Sequence, residues 1–216
     1  MFKVSVKGIV ADKGRYLLRI NERGEYELLG GKLERADKSL ADRVKQELVE
    51  ESGVVVEPAE AREPWFYVIG GRPVLIVPLL CTVVHVPARL FDQDGGRLEW
   101  VEPARLGSIK LPASYVDSIR GTRPRLTTLD VTPGPSYADD KFDVELVARS
   151  GANLKRYVLS DACDFHAELR RHGYEHATFA QVGYGDDKRI HVVFDVTPRC
   201  GRPSPRQTGA PRFANQ

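Results

Sequence analysis

Cysteine is scarce in this chain of 216 residues. There are three, Cys81, Cys163 and Cys200, odd in number, widely spaced and never in a C-x-x-C pair. That excludes a disulfide framework and a closed structural zinc site, and it points to a reducing cytoplasm. Two of them are expected as small buried side chains and Cys200 as part of a flexible tail. Excess charge of one sign is also missing: 32 Lys and Arg against 30 Asp and Glu give a formal net charge of +2. A basic nucleic-acid binder is therefore not indicated. No apolar run approaches the ~18 residues that cross a membrane. The opening MFKVSVKGIV has neither the apolar core nor the cleavage site of a signal peptide. There are no internal repeats. His166 and His172 lie near one helix but six residues apart, not at the i,i+4 spacing of a helix-borne metal pair. His85 ends an apolar strand.

What is present is ordinary globular composition, 42% hydrophobic and 29% charged, enough for one full domain and a smaller one. Phe2 to Ala11 alternates apolar and polar residues as a strand does, and Arg15 to Ile20 pairs with it across Asp12-Lys13-Gly14. Tyr26 to Leu29, Val54 to Glu57, Trp65 to Ile69, Val74 to Val86 and Arg97 to Val101 read as further strands. Pro103 to Arg105 and Ala113 to Arg120 read as short helical pieces. Trp65 and Tyr67 either pack in the sheet or stack on a base. The whole predicts a mixed α/β (α+β) fold, a mixed sheet between helices over residues 1–121. The Pro- and Gly-bearing stretch 122–136 reads as a linker. Residues 137–198 follow as a small β-β-α-β-β module, too small to be comfortable alone and expected to lean on the first domain or on a second subunit. Residues 199–216 have the composition of a disordered tail.

The most informative segment is Gly30 to Val54, GGKLERADKSLADRVKQELVEESGV. Ser39 is a suitable N-cap with Asp42 three residues on, Leu40, Val44 and Leu48 form an apolar stripe, and Gly53 stops the helix. Glu47, Glu50 and Glu51 fall at i, i+3 and i+4 on one face, expected to point away from the stripe. Like charges at that spacing repel by a few tenths of a kcal/mol per pair, and a divalent cation reverses the sign. Oxygen-only ligands suit Mg²⁺, Mn²⁺ or Ca²⁺ rather than zinc. Lys32 is a candidate phosphate contact or a loop cap.

Gly31 to Val54 resembles the box of the Nudix hydrolases, G-x5-E-x7-R-E-U-x-E-E-x-G-U, where U is a bulky aliphatic residue. Glu47 to Val54 matches its second half without a gap, and Gly30-Gly31-Lys32-Leu33-Glu34 matches its opening. The flanking strands extend the resemblance over roughly residues 1–120, and it says nothing of 137–216. Two positions depart from the pattern. Gln46 stands where the box has an arginine that helps hold the glutamates. Asp37 stands where the first box glutamate would be, with one extra residue before Gln46. Arg43, one turn before Glu47, is a candidate source of the missing charge.

The resemblance implies a Mg²⁺- or Mn²⁺-dependent hydrolase that cleaves the diphosphate of a nucleoside diphosphate linked to another moiety. A nucleotide sugar, ADP-ribose or a nucleoside triphosphate all fit. It implies Glu47 and Glu51 as main metal ligands, joined by the Gly30 carbonyl, with Glu50 as a ligand or a group that orients water. It places a further acid, for metal or as general base, at Asp94, six residues before Trp100, with Asp92 in reserve. A second reading stays open, a catalytically weak nucleotide-binding or sensor protein whose residues 137–198 carry the output. A third is that this module builds a homodimer.

Overall fold

In the computed structural model the described residues are 1–92, 95–129 and 140–199. Strand β1 (Lys3–Asp12) and strand β2 (Arg15–Ile20) form the expected hairpin. Lys13 and Gly14 both take positive φ, 49° and 75°, the combination a two-residue hairpin turn requires. Strand β3 (Tyr26–Glu27) is shorter than its pattern suggested and pairs with the end of β2. Helix α1 (Leu40–Ser52) begins at Ser39, whose Oγ accepts from Asp42 N at 3.0 Å. It ends at Gly53, which is left-handed and donates to Val49 O at 2.9 Å.

Strands β4 (Val55–Ala61), β5 (Trp65–Ile69), β6 (Arg72–His85) and β7 (Arg97–Val101) complete most of the sheet. β6 is its spine: β1 runs parallel to it from Lys3↔Val74 to Ala11↔Thr82, while β4 and β5 are antiparallel to it. β7 lies antiparallel to β2. Pro103–Arg105 is a single 3-10 turn, and helix α2 (Ala113–Arg120) follows. The sheet is mixed and lies between helices. On one face Val4, Val6 and Val10 meet Val44 and Leu48 of α1. On the other, Ile9, Leu18, Leu28 and Ile76 meet Leu111, Tyr115 and Ile119 at α2. Trp65 and Tyr67 belong to this second layer, both edge-on to the Tyr115 ring.

Two expectations change. Residues 122–136 are not all linker, because Thr127–Leu129 forms strand β8, parallel to β5 through Tyr67↔Thr127. The two threonines and the leucine suit a pleated edge, and β5 offers unpaired backbone groups there. The glutamates of α1 also do not all point away from its apolar stripe. Glu47 and Glu51 are only 9% exposed each, because they flank the stripe and face the 30–31 turn.

The C-terminal module has the expected order: strands β9 (Val144–Ser150) and β10 (Asn153–Val158), helix α3 (Phe165–Arg171), strands β11 (Tyr174–Tyr184) and β12 (Ile190–Pro198). Its sheet order is β10-β9-β12-β11, with β9 and β12 parallel. It leans on the first domain. Phe2 and Phe142 exchange two backbone hydrogen bonds of 2.8 Å. A run of rings, Phe2–Phe66 at 4.8 Å, Phe66–Phe165 at 5.6 Å and Phe165–Phe194 at 5.9 Å, joins the two units in one core. Polar links at the rim are His166 to Glu63 at 3.0 Å and Arg123 to Asp164 at 2.6 Å.

Helix α1 sits close on β1 because β1 has a glycine at the crossing. A Cβ on Gly8 would lie 2.7 Å from Leu48 Cδ1 in a fully buried contact. Gly8→Val is expected to destabilise the protein by about 1–3 kcal/mol through overpacking, read as a lower denaturation midpoint at unchanged m-value.

Candidate functional site

The 30–31 turn runs beneath α1, and the chain needs two glycines to make it. Gly30 has φ 130°, and a Cβ there would collide with the Val6 carbonyl. A Cβ on Gly31 would fall inside the Glu47 carboxylate. The turn is held from both sides: Gly8 N donates to Leu29 O and Val6 N to Gly31 O, each at 2.9 Å. The two glycines thus form a cradle that admits carboxylate oxygens close to backbone.

Glu51 Oε2 accepts from Gly30 N at 2.7 Å, and the Gly30 carbonyl accepts from Lys7 Nζ at 2.7 Å. Glu47 is ion-paired with Arg43, one turn earlier, and Arg43 also reaches Glu34 at 3.7 Å. Arg43 Nε is buried and finds no acceptor among the described residues. Arg19 lies 3.9 Å from Glu51 and donates to Asp92 at 2.6 Å. Glu50, half-buried, accepts from Gln46 at 2.9 Å.

The structure therefore brings Gly30, Glu47 and Glu51 together and sets Glu50 at their more open side. Among the described residues no three acidic, histidine or cysteine side chains converge as a metal-holding group. Each carboxylate is met instead by a basic or amide group of the chain. Asp94 lies outside the described residues, as does Cys200. Asp92 is engaged by Arg19. Lys32 is exposed, bridges through its backbone to Ser5, and lines a cavity. His85 and His172 lie away from the site: His172 stacks on Tyr157 at 3.7 Å.

Two residues that matter here were not singled out by pattern. Lys7 reads as an ordinary polar position of an alternating strand, yet it is 9% exposed and points at the Gly30 carbonyl. Arg19 likewise reads as a strand residue on the solvent side. The available signal was weak: a lysine in the strand that the glycine turn must cross.

Burial pushes the Glu51 carboxyl above its ordinary value of 4.5, against the opposing pull of Lys7, the Gly30 N–H and Arg19. Burial likewise raises Glu47, opposed mainly by Arg43. A raised folded value means that the folded state holds more protons than the unfolded one above pH 4.5. The stabilising contribution is complete below the unfolded value and is lost as pH rises through the raised folded value. In EDTA, the melting-temperature difference between Glu51→Gln and the unmodified protein is therefore expected to move in the variant's favour from about pH 5 to about pH 8.

Beside the turn, under β1, lies a cavity of ≈ 190 Å³. Lys3, Ser5 and Lys7 of β1 line it together with Ile76 and Tyr67 of the neighbouring strands and Tyr115 of α2. It continues, past Asn21, Arg23 and Tyr26, into an open groove bordered by Arg19 and Arg97. A second cavity, ≈ 380 Å³, lies on the outer face of the C-terminal sheet around Arg149, Arg156 and His191. Their charges are met by Asp195, Glu145 and Asp187.

No family model and no curated protein matches the chain. Solved structures do resemble it. A MutT protein from Methanosarcina mazei Go1 is 26% identical with a TM-score of 0.48, covering 55% of this chain and 91% of that one. A MutT NUDIX hydrolase from Burkholderia pseudomallei is 21% identical with a TM-score of 0.49, covering 57% and 99%. An ADP-ribose pyrophosphatase from Streptococcus suis 89-1591 is 18% identical with a TM-score of 0.45, covering 59% and 98%.

Proposed function

We propose that the protein is a Nudix-type hydrolase, dependent on Mg²⁺ or Mn²⁺, that cleaves the diphosphate of a nucleoside diphosphate linked to another moiety. The observation that carries this reading is the meeting of Glu51 with Gly30, 2.7 Å apart, beside Glu47 over Gly31. The sequence that builds this cradle is the one that resembles the Nudix box.

The donor set fits a hard cation. It is all oxygen, two of its carboxylates are buried with raised pKa values, and the glycine turn leaves room where any side chain would fill it. Glu47, Glu51 and the Gly30 carbonyl would hold the ion, with Glu50 at the open side. When bound, the cation supplies charge neutralisation of the phosphates and a more acidic water. The chain supplies the rest. Glu50, steadied by Gln46, accepts a proton from the attacking water. The water oxygen bonds to one phosphorus, the bond from that phosphorus to the leaving oxygen breaks, and the leaving oxygen departs as phosphate or phosphate ester. Arg43, with its buried unpaired N–H, and Lys32 bind phosphate oxygens. The tyrosine end of the cavity takes the base, where Tyr67 and Tyr115 offer aromatic surface, and leaves the Lys7 end toward the phosphates. Residues 140–198 support the first domain through the shared phenylalanine core.

The test is a panel of nucleoside triphosphates, nucleotide sugars and ADP-ribose with Mg²⁺, Mn²⁺ or EDTA. Metal-dependent release of nucleoside monophosphate, phosphate or pyrophosphate is expected from at least one compound. No turnover on any of them, together with micromolar nucleotide binding, would favour the sensor reading. That second reading draws its support from Gln46, which pairs with Glu50 and brings no positive charge.

A further inference from the structure

Lys7 lies at this site but outside the box motif, as Arg19 does. It lies in the middle of β1, the central strand, 23 residues before the turn it touches. Its side chain is nearly buried, and a buried ammonium needs compensating charge or strong acceptors. It has both: Nζ donates to the Gly30 carbonyl at 2.7 Å, and its charge lies near enough to Glu51 and Glu47 to favour their ionised forms. The Gly30 carbonyl cannot turn elsewhere, because the residue is fixed at φ 130° against Val6 and its N–H is committed to Glu51. Lys7 also lines the ≈ 190 Å³ cavity under β1. One flexible four-carbon stem thus serves two places, the carboxylate cradle and the cavity beside it.

We propose that Lys7 is a resident counter-ion of the cradle, which competes with a divalent cation for the Gly30 carbonyl and the Glu51 charge and, once released, turns its ammonium into the adjoining cavity toward a phosphate oxygen. The inference rests on the reading of the site as a metal-dependent hydrolase. It makes loading of the cation and gripping of the substrate two ends of one side-chain movement. Lys7 is in that sense a positioning residue until it is displaced and a phosphate contact afterwards. A purely structural Lys7, there only to neutralise Glu51 and seat α1, would behave differently: its removal would loosen the cradle and weaken cation binding.

Mn²⁺ binding to the full-length protein without nucleotide, followed by the loss of the free-ion electron paramagnetic resonance signal, separates these cases. Lys7→Met is expected to bind Mn²⁺ at least about tenfold more tightly than the unmodified protein, the scale of removing one nearby like charge under water-like screening. On the best substrate of the panel it is expected to show about tenfold or greater loss of kcat/KM at saturating Mn²⁺. Lys7→Gln, which keeps a donor for the Gly30 carbonyl without the charge, should repeat both shifts and serves if the methionine variant does not fold. Binding no tighter in either folded variant, with the unmodified protein binding normally, overturns the inference and leaves the hydrolase reading standing. Tighter binding with unchanged kcat/KM overturns the phosphate contact. Absence of Mn²⁺ binding in all three proteins overturns both the inference and the metal-dependent reading.

Discussion

Glu51→Gln is expected to lower kcat by about 10²–10⁴-fold at saturating Mg²⁺, with the folded structure retained. The size follows from what the substitution removes: one full negative charge from the proposed cation site, where metal and proton-transfer contributions each amount to several kcal/mol of barrier. The fold is retained because the amide oxygen of glutamine can still accept from Gly30 N, the 2.7 Å bond that Glu51 makes. Burial works against the ionised carboxylate and not against a neutral amide, so the variant loses no packing. The measurement is steady-state turnover beside a thermal melt of the same preparation. Turnover within threefold of the unmodified protein would remove Glu51 from the chemistry. A collapse of the melt would instead mark it as structural.

Phe66→Ala is the second large effect. Phe66 is fully buried, with Phe2 of the first domain on one side and Phe165 of the C-terminal module on the other. Truncating it leaves a cavity where two units meet, and the loss is expected at about 3–5 kcal/mol. Because the ring belongs to both units, the unmodified protein should unfold in one transition, with far-UV circular dichroism and tryptophan fluorescence superimposed. Both tryptophans, Trp65 on β5 and Trp100 on β7, belong to the first domain, so their fluorescence follows that domain. If Phe66→Ala separates the two signals by several degrees while lowering both, the shared core is confirmed as the coupling. If the unmodified protein already melts in two steps, the phenylalanine run contributes little to holding the units together.

These two predictions rest on features of different legibility. Helix α1 could be read residue by residue, because its cap, stripe and stop lie between Ser39 and Gly53 and obey local rules: Ser39 bonds Asp42, and Gly53 turns left-handed. The strands were equally legible from alternation, with β2, β5 and β7 falling where their patterns put them. β8 was missed because proline, glycine and threonine composition is a local signal, whereas strand pairing depends on what backbone lies alongside. The mutual placement of Glu47 and Glu51 followed from helix periodicity, but their burial did not. It depends on a glycine turn seventeen to twenty-one residues away, and on Gly8 letting α1 approach β1.

Gln46 shows the same division. The box comparison marks it as a missing positive charge, and helix periodicity offers Arg43, one turn before Glu47, as the source. In three dimensions Arg43 pairs with Glu47, while Gln46 turns to Glu50. Periodicity and capping chemistry were sufficient for the fold class and for the helix that bears the carboxylates. That Lys7 and Arg19 close on the Gly30–Glu51 end of the site, and that the C-terminal module shares a core with the first domain, depended on contacts between residues 23 to more than 100 positions apart. Such pairings depend on how the strands cross and pack. No window of sequence contains both partners.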